Sequence, residues 1–284
     1  MFTLKPEDIP TPIAKHVYFD KISFWHNDPL DHETSEWLRK QCRIRGFYSH
    51  VGPPPFHGKP FKERIELKGA TEPGLEWLAL QKDAHINGLE ISLDLVFESG
   101  SPRDRTFVYF NEHIVRLHHR QEQKIKLIRS SNGNGESFRE LSATCAETRY
   151  DAGRTSPNQL VFYKQEFCRV TGEIAPVLHL EWRANRHKAV QRLGIVSGKD
   201  LLDFDHGNFW SDKLLLQDTD RGRLGRMICN LRDGTKRRTS TLNDKRLGYA
   251  LLRHCETIQQ FRDQFGSRFG RVLIRIPNNM WIPN

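Results

Sequence analysis

The residues best placed to do chemistry lie between Thr148 and Gly194. Two short apolar runs there, Gln159 to Lys164 and Pro176 to Trp182, carry Tyr, His, Glu, Lys and Arg among their apolar residues. Side chains two apart on a strand share a face. A strand over 177–183 therefore sets His179 beside Glu181, with Leu178, Leu180 and Trp182 opposite. An imidazole and a carboxylate on one rigid strand can share a divalent cation. Mg2+ or Mn2+ suits such a pair better than Zn2+, because those ions prefer oxygen ligands. Tyr163 and Lys164 stand in the other run. A phenol, a cation and a metal pair close together are the parts that phosphodiester cleavage needs. Tyrosine attacks phosphorus only when something offsets its pKa near about 10, and Lys164 plus a metal ion are the groups on offer. Tyr150 competes for the nucleophile role, but Asp151 beside it opposes ionisation, which favours Tyr163. The plainer alternative is a structural hairpin with polar surface residues, its tyrosines present because aromatics fit pleated sheets.

Other candidates lie elsewhere in the chain. His85 to Phe97 alternates strongly, placing Glu90, Ser92 and Asp94 on one face and Leu89, Ile91 and Leu93 on the other. That polar face makes Asp94, and after it Glu90, candidate metal ligands; the alternative is an open sheet in water. His118 and His119 are adjacent, so on a helix they diverge by about 100° and read as a solvated face together with His113. Arg183 and Arg186, with Lys188 and Arg192, line the start of a predicted helix and can hold phosphate. Between Arg221 and Arg246 stand seven arginines and two lysines against Asp233 and Asp244. This run, with Arg221, Arg223, Arg226, Lys236, Arg237 and Arg238, is the expected DNA contact outside the catalytic region. It has no aromatic platform, so backbone contact is expected over base reading.

The elements that must position these groups follow from periodicity. Strands are predicted over 16–25, 43–51, 61–67 and 85–97, with helices over 29–42 and 72–82 between them. That order is the split βαβ pattern of a ferredoxin-like sheet. A helix over 101–123, strands over 141–150, 159–164 and 176–182, and a helix over 185–193 stopped by Gly194 continue the chain. A helical stretch over 242–265 and a strand over 272–276 close it. The expected fold is α+β: an antiparallel sheet of ferredoxin-like units with helices on one side, plus a basic C-terminal subdomain. Residues 1–15 read as a proline-rich arm, 16–200 as the main domain and 201–284 as the basic subdomain.

The chain of 284 residues has a formal net charge of +9, which favours a polyanionic partner. Its five cysteines are scattered, with no Cys-x-x-Cys spacing, which suits a reducing compartment. The N-terminus lacks a signal-peptide core, and no apolar run approaches a membrane span, so a cytoplasmic protein without membrane contact is expected.

Tyr150-Asp151-Ala152-Gly153-Arg154-Thr155-Ser156, Val161-Phe162-Tyr163-Lys164 and Leu180-Glu181-Trp182-Arg183 together resemble the replication initiation factor family. These are rolling-circle initiators of plasmids and filamentous phages, related to relaxases of conjugative elements. The family shows a tyrosine before a Gly-Ser-Arg-x-Ser turn, an Arg-x-Tyr-x-Lys strand, and a strand with Glu and Arg. Here the turn is looser, the arginine before Tyr163 is absent, and Lys164 follows the tyrosine directly. The resemblance implies a DNA nickase and strand transferase that starts rolling-circle replication. A metal on Asp94, Glu181 and His179 would polarise the scissile phosphate, and Tyr163 would attack it to leave a 5′-phosphotyrosine and a free 3′-hydroxyl. It implies double-stranded origin DNA and single-stranded DNA as partners, with Arg154 and Arg183 among the contacts. No Walker-type loop is present, so a helicase would be a separate host protein. The competing expectation is a DNA-binding repressor or copy-number regulator without chemistry.

Overall fold

Period-two alternation in the chain becomes one eight-stranded antiparallel sheet. The structure, a computed structural model, describes residues 9–43, 47–51, 62–114, 125–128, 148–151, 156–219 and 273–282. The first half runs β1 (Ala14–His26), α1 (His32–Lys40), β2 (Tyr48–Val51), β3 (Glu63–Lys68), α2 (Glu72–Leu80) and β4 (His85–Val96). After α3 (Gly100–His113) come β5 (Ile125–Ile128), β6 (Thr148–Asp151), β7 (Asn158–Phe167) and β8 (Ile174–Ala184). Helices α4 (His187–Gln191), α5 (Lys199–Leu202) and α6 (His206–Lys213) precede a ladder of β9 (Leu216–Thr219) with β10 (Leu273–Ile276).

The strand order is β2-β3-β1-β4-β8-β7-β6-β5. Its first four strands have the ferredoxin-like order, and the remainder is a meander leading outward from β8. This is the α+β architecture that the alternation predicts. One face of the sheet is apolar. Phe19, Ile22, Ile65, Leu89, Ile91, Leu93, Phe162 and Leu180 are buried there in a single cluster with Leu38 of α1, Leu78 of α2, Phe107 and Phe110 of α3, and Trp210 of α6. Each such side chain contributes about 1.5–3 kcal/mol on burial, which fixes the helices to this side. The opposite face carries the polar residues.

Two helices are shorter than their periodicity suggests. The Asp31 side chain accepts a hydrogen bond from the Thr34 amide at 2.7 Å, so α1 starts after that cap and not at Pro29. The expected helix to Gln123 ends at His113, because Ile114 turns extended and bridges Leu216. Past residue 200 the described residues continue the same core. Leu201, Phe209, Leu214 and Trp281 belong to the same cluster as the sheet. At Gly198 a Cβ would lie 2.3 Å from the Leu78 carbonyl oxygen, so the backbone there packs directly on α2. His118, His119, Arg154, the 221–246 run and the 242–265 stretch lie outside the described residues. Among those described, no helix is long and apolar enough to cross a membrane.

Candidate metal centre and tyrosine cleft

Antiparallel register gathers the polar groups onto the uncovered face. His179 of β8 pairs with Asp94 of β4 on one side and Tyr163 of β7 on the other. Glu181 pairs with Ser92 and Val161, and Arg183 with Glu90 and Gln159. Directly opposed residues share a face, so the imidazole, both glutamates, Asp94, Arg183 and the phenol all point the same way.

A β-bulge adds a residue that strict alternation hides. Between Phe19 and Lys21 the β1–β4 register shifts, and Asp20 is the extra residue. The bulge turns Asp20 onto the polar face while Phe19 and Ile22 stay in the core. One ligand atom each of Asp20, His179 and Glu181 then lies within 4.8 Å of the others, and all three residues are buried. The donor set is two carboxylates and one imidazole.

The His179 ring is held from behind. Its Nδ1–H donates to Asp94 Oδ1 at 2.5 Å, and Tyr18 donates to the other Asp94 oxygen at 3.3 Å. That fixes the tautomer and leaves Nε2 facing Glu181 Oε2 at 3.7 Å. Asp94 is thus placed behind the ring, outside the trio. Glu90, the other expected ligand, is ion-paired to Lys21 and lies 3.9 Å from Arg183. Burial, with Glu181 nearby, pushes the Glu90 carboxyl up to about 7 against the pull of Lys21 and Arg183.

Tyr163 stands at the edge of this trio, its ring centroid 4.7 Å from that of His179. Its hydroxyl accepts from Arg169 Nη2 at 2.7 Å, and Arg169 Nη1 reaches both Asp20 oxygens at 3.0 and 2.9 Å. Arg169 arrives from the β7–β8 turn, which folds back over the polar face. Val96, Cys168 and Val177 form a small apolar cluster beneath it, with Val170 packed against them. Gly172 at φ 74 lets the turn close, its amide donating to the Cys168 carbonyl at 2.8 Å. Burial drives the Tyr163 hydroxyl well above its ordinary pKa, and Arg169 is the group that opposes this.

Lys164 does not join Tyr163. Neighbouring strand residues face opposite ways, and Lys164 Nζ lies 3.6 Å from Asp104 and 5.0 Å from the Phe107 ring centroid, on the α3 side. Tyr150 shares the polar face, since it pairs with Val161, and its ring lies under the Arg183 guanidinium at 5.9 Å. Arg183 grips Glu181 with a fork of 2.5 and 3.1 Å. Burial alone would raise Glu181, but His179 and Arg183 outweigh it and hold the carboxyl far below its usual range. Arg186 is exposed at the start of α4. A cleft of about 730 Å³ opens on this face, with Asp20, Glu90, Glu181, Tyr163, Arg169 and Arg183 in its lining and Glu66, Arg43 and Lys68 toward one side.

The trio makes stability depend on pH. Burial alone would lower His179, but Asp94 and Glu181 carry its pKa from 6.5 up to about 9. A raised folded-state pKa gives stability that is full below the unfolded value and lost as pH climbs through the folded one. The raised Glu90 carboxyl acts in the same sense in the lower window, from 4.5 to about 7. In EDTA, Tm should therefore fall between pH 6.5 and about 9. A flat profile would contradict a protonated, doubly paired imidazole.

No family model matches the chain, and no curated protein matches it in sequence. Its structure is similar to that of a rolling-circle replication initiator protein from Geobacillus stearothermophilus. The likeness covers 82% of this chain and 91% of that one, at 13% identity and a TM-score of 0.42. At that level it carries no residue role across.

Proposed function

We propose that this protein is a rolling-circle replication initiator that nicks and religates one DNA strand through a covalent phosphotyrosine. The observation that carries the reading is a tyrosine hydroxyl held by Arg169 beside the buried Asp20-His179-Glu181 trio, in one open cleft. Two oxygens and one imidazole nitrogen fit Mg2+ or Mn2+, and the Asp94 hydrogen bond presents His179 Nε2 for such an ion. When bound, the ion supplies Lewis-acid polarisation of the scissile phosphate. Asp20, His179 and Glu181 would hold it there.

Tyr163 Oη attacks the phosphorus and forms the 5′-phosphotyrosine bond. The P–O3′ bond breaks, the phenolic proton is released to water, and the departing 3′ oxygen takes one up. Arg169 donates to the phenolic oxygen as negative charge gathers on it, which favours the phenolate. Because the phosphodiester's bond energy stays in the phosphotyrosine, resealing by the 3′-hydroxyl reverses the step without ATP.

The test uses purified protein, supercoiled plasmid carrying its origin, and Mn2+. Relaxed plasmid with protein attached through denaturation is expected. DNA binding without relaxation or adduct would leave the regulator reading and overturn this one.

A further inference from the structure

The polar face extends beyond the cleft to an aromatic pair at the sheet edge. Tyr48 of β2 pairs with Glu66 of β3, and Glu66 lines the cleft, so the tyrosine ring stands on the same face. Tyr48 is 49% exposed, and His50 stacks beside it at 6.4 Å with 13° between the ring planes. Between this pair and the trio lie Lys68 and Arg43, which line the cleft and have no ion pair with any described residue. The other cleft cations are taken: Lys21 by Glu90, Arg169 by Asp20 and Arg183 by Glu181. Glu66 is likewise taken by Arg64 at 2.7 Å, so it does not neutralise Lys68.

We infer that this strip, from Tyr48 through Lys68 and Arg43 to Tyr163, is a track for single-stranded DNA running diagonally over the polar face. The inference rests on the proposed reading of the cleft and names how its substrate is held. Two cations without an ion pair among the described residues fit two backbone phosphates. An exposed ring on an open sheet fits an unstacked base, which a duplex cannot offer because its bases are stacked on each other. From β2 to β7 the order runs through β3, β1, β4 and β8. At about 4.8 Å per strand this is roughly 24 Å across the sheet. The row of Tyr48 reaches β4 at Gly88 and the row of Tyr163 reaches it at Asp94, which at about 3.4 Å per residue adds roughly 20 Å along the strands, so the two rings stand on the order of 30 Å apart.

The experiment measures binding of fluorescein-labelled dT12 to the full chain in EDTA, by anisotropy, over a range of salt. Tyr48→Ala should weaken dT12 binding between about fivefold and a hundredfold, while Tyr48→Phe stays within about twofold. Lys68→Gln should reduce the salt slope by about 0.7. Binding of a blunt duplex of equal length should be unchanged in Tyr48→Ala. No dT12 binding by the unmodified protein, unchanged binding by Tyr48→Ala, or equal loss on duplex would each overturn the track. Plasmid nicking separates the two proposals. An adduct at Tyr163 with dT12 binding indifferent to Tyr48 refutes the track alone. A Tyr48-dependent dT12 complex without any adduct supports the track and refutes the nickase.

Discussion

Tyr163→Phe should abolish nicking and adduct formation while DNA affinity stays within about twofold. Phenylalanine keeps the ring beside His179 and removes the hydroxyl that Arg169 holds at 2.7 Å. Loss of one such hydrogen bond costs about 1 kcal/mol, roughly a fivefold effect on an equilibrium. Loss of the proposed nucleophile would remove a whole reaction path, and the rate should drop by many powers of ten. Plasmid relaxation under single-turnover conditions distinguishes these scales. Tyr150→Phe is the matched control, because it also removes a phenol from the polar face. Its hydroxyl belongs to a ring stacked under Arg183, so it should stay within about fivefold of the unmodified protein. A swap between the two variants would move the nucleophile to Tyr150. Full activity in both would remove the tyrosine mechanism.

Opposite changes in Mn2+ affinity are expected at the two sides of Asp20. His179→Asn keeps a donor near Asp94 but leaves nothing where Nε2 stood, so Mn2+ affinity should fall by at least about a hundredfold. Asp94→Asn weakens only the support behind the ring, and a loss of about ten- to a hundredfold is expected. Arg169→Gln should do the reverse. The guanidinium occupies both Asp20 oxygens, so it competes with a cation for one of the trio's carboxylates. Removing it should tighten Mn2+ binding while slowing nicking, since the phenolic oxygen loses its donor. Manganese EPR of the full chain reads the affinity without any reference to activity. Weaker Mn2+ binding in Arg169→Gln would show that the arginine supports the site and does not compete with the cation.

Much of this arrangement was legible in the chain. Period-two alternation placed His179, Glu181 and Asp94 on polar faces, and the register that brings β4, β8 and β7 together did the rest. Asp20 was hidden by a rule and betrayed by its exception. Apolar residues at Val17 and Phe19 change parity before Ile22 and Phe24, and that slip marks the bulge which sets Asp20 beside Lys21 on the polar face and completes the trio. Arg169 had no local signal, because its position depends on a turn folding back over the sheet and packing Val170 on a small cluster. Lys164 was misplaced in the expected site for the simplest reason. Adjacency in sequence puts it on the α3 side, away from the phenol. The resemblance falls on β6, β7 and β8, and the geometry sets Arg169, in place of Lys164, beside the Tyr163 hydroxyl.

The proposed phosphotyrosine is tested most directly by locating the nucleotide on the protein. Adduct formed with Mn2+ on origin plasmid is digested with nuclease and trypsin, and the peptides are sequenced by mass spectrometry. The account predicts a residual nucleotide on Tyr163, absent when Mn2+ is withheld. A remnant on Tyr150 or on any other residue, or none on a protein that relaxes plasmid, would contradict it.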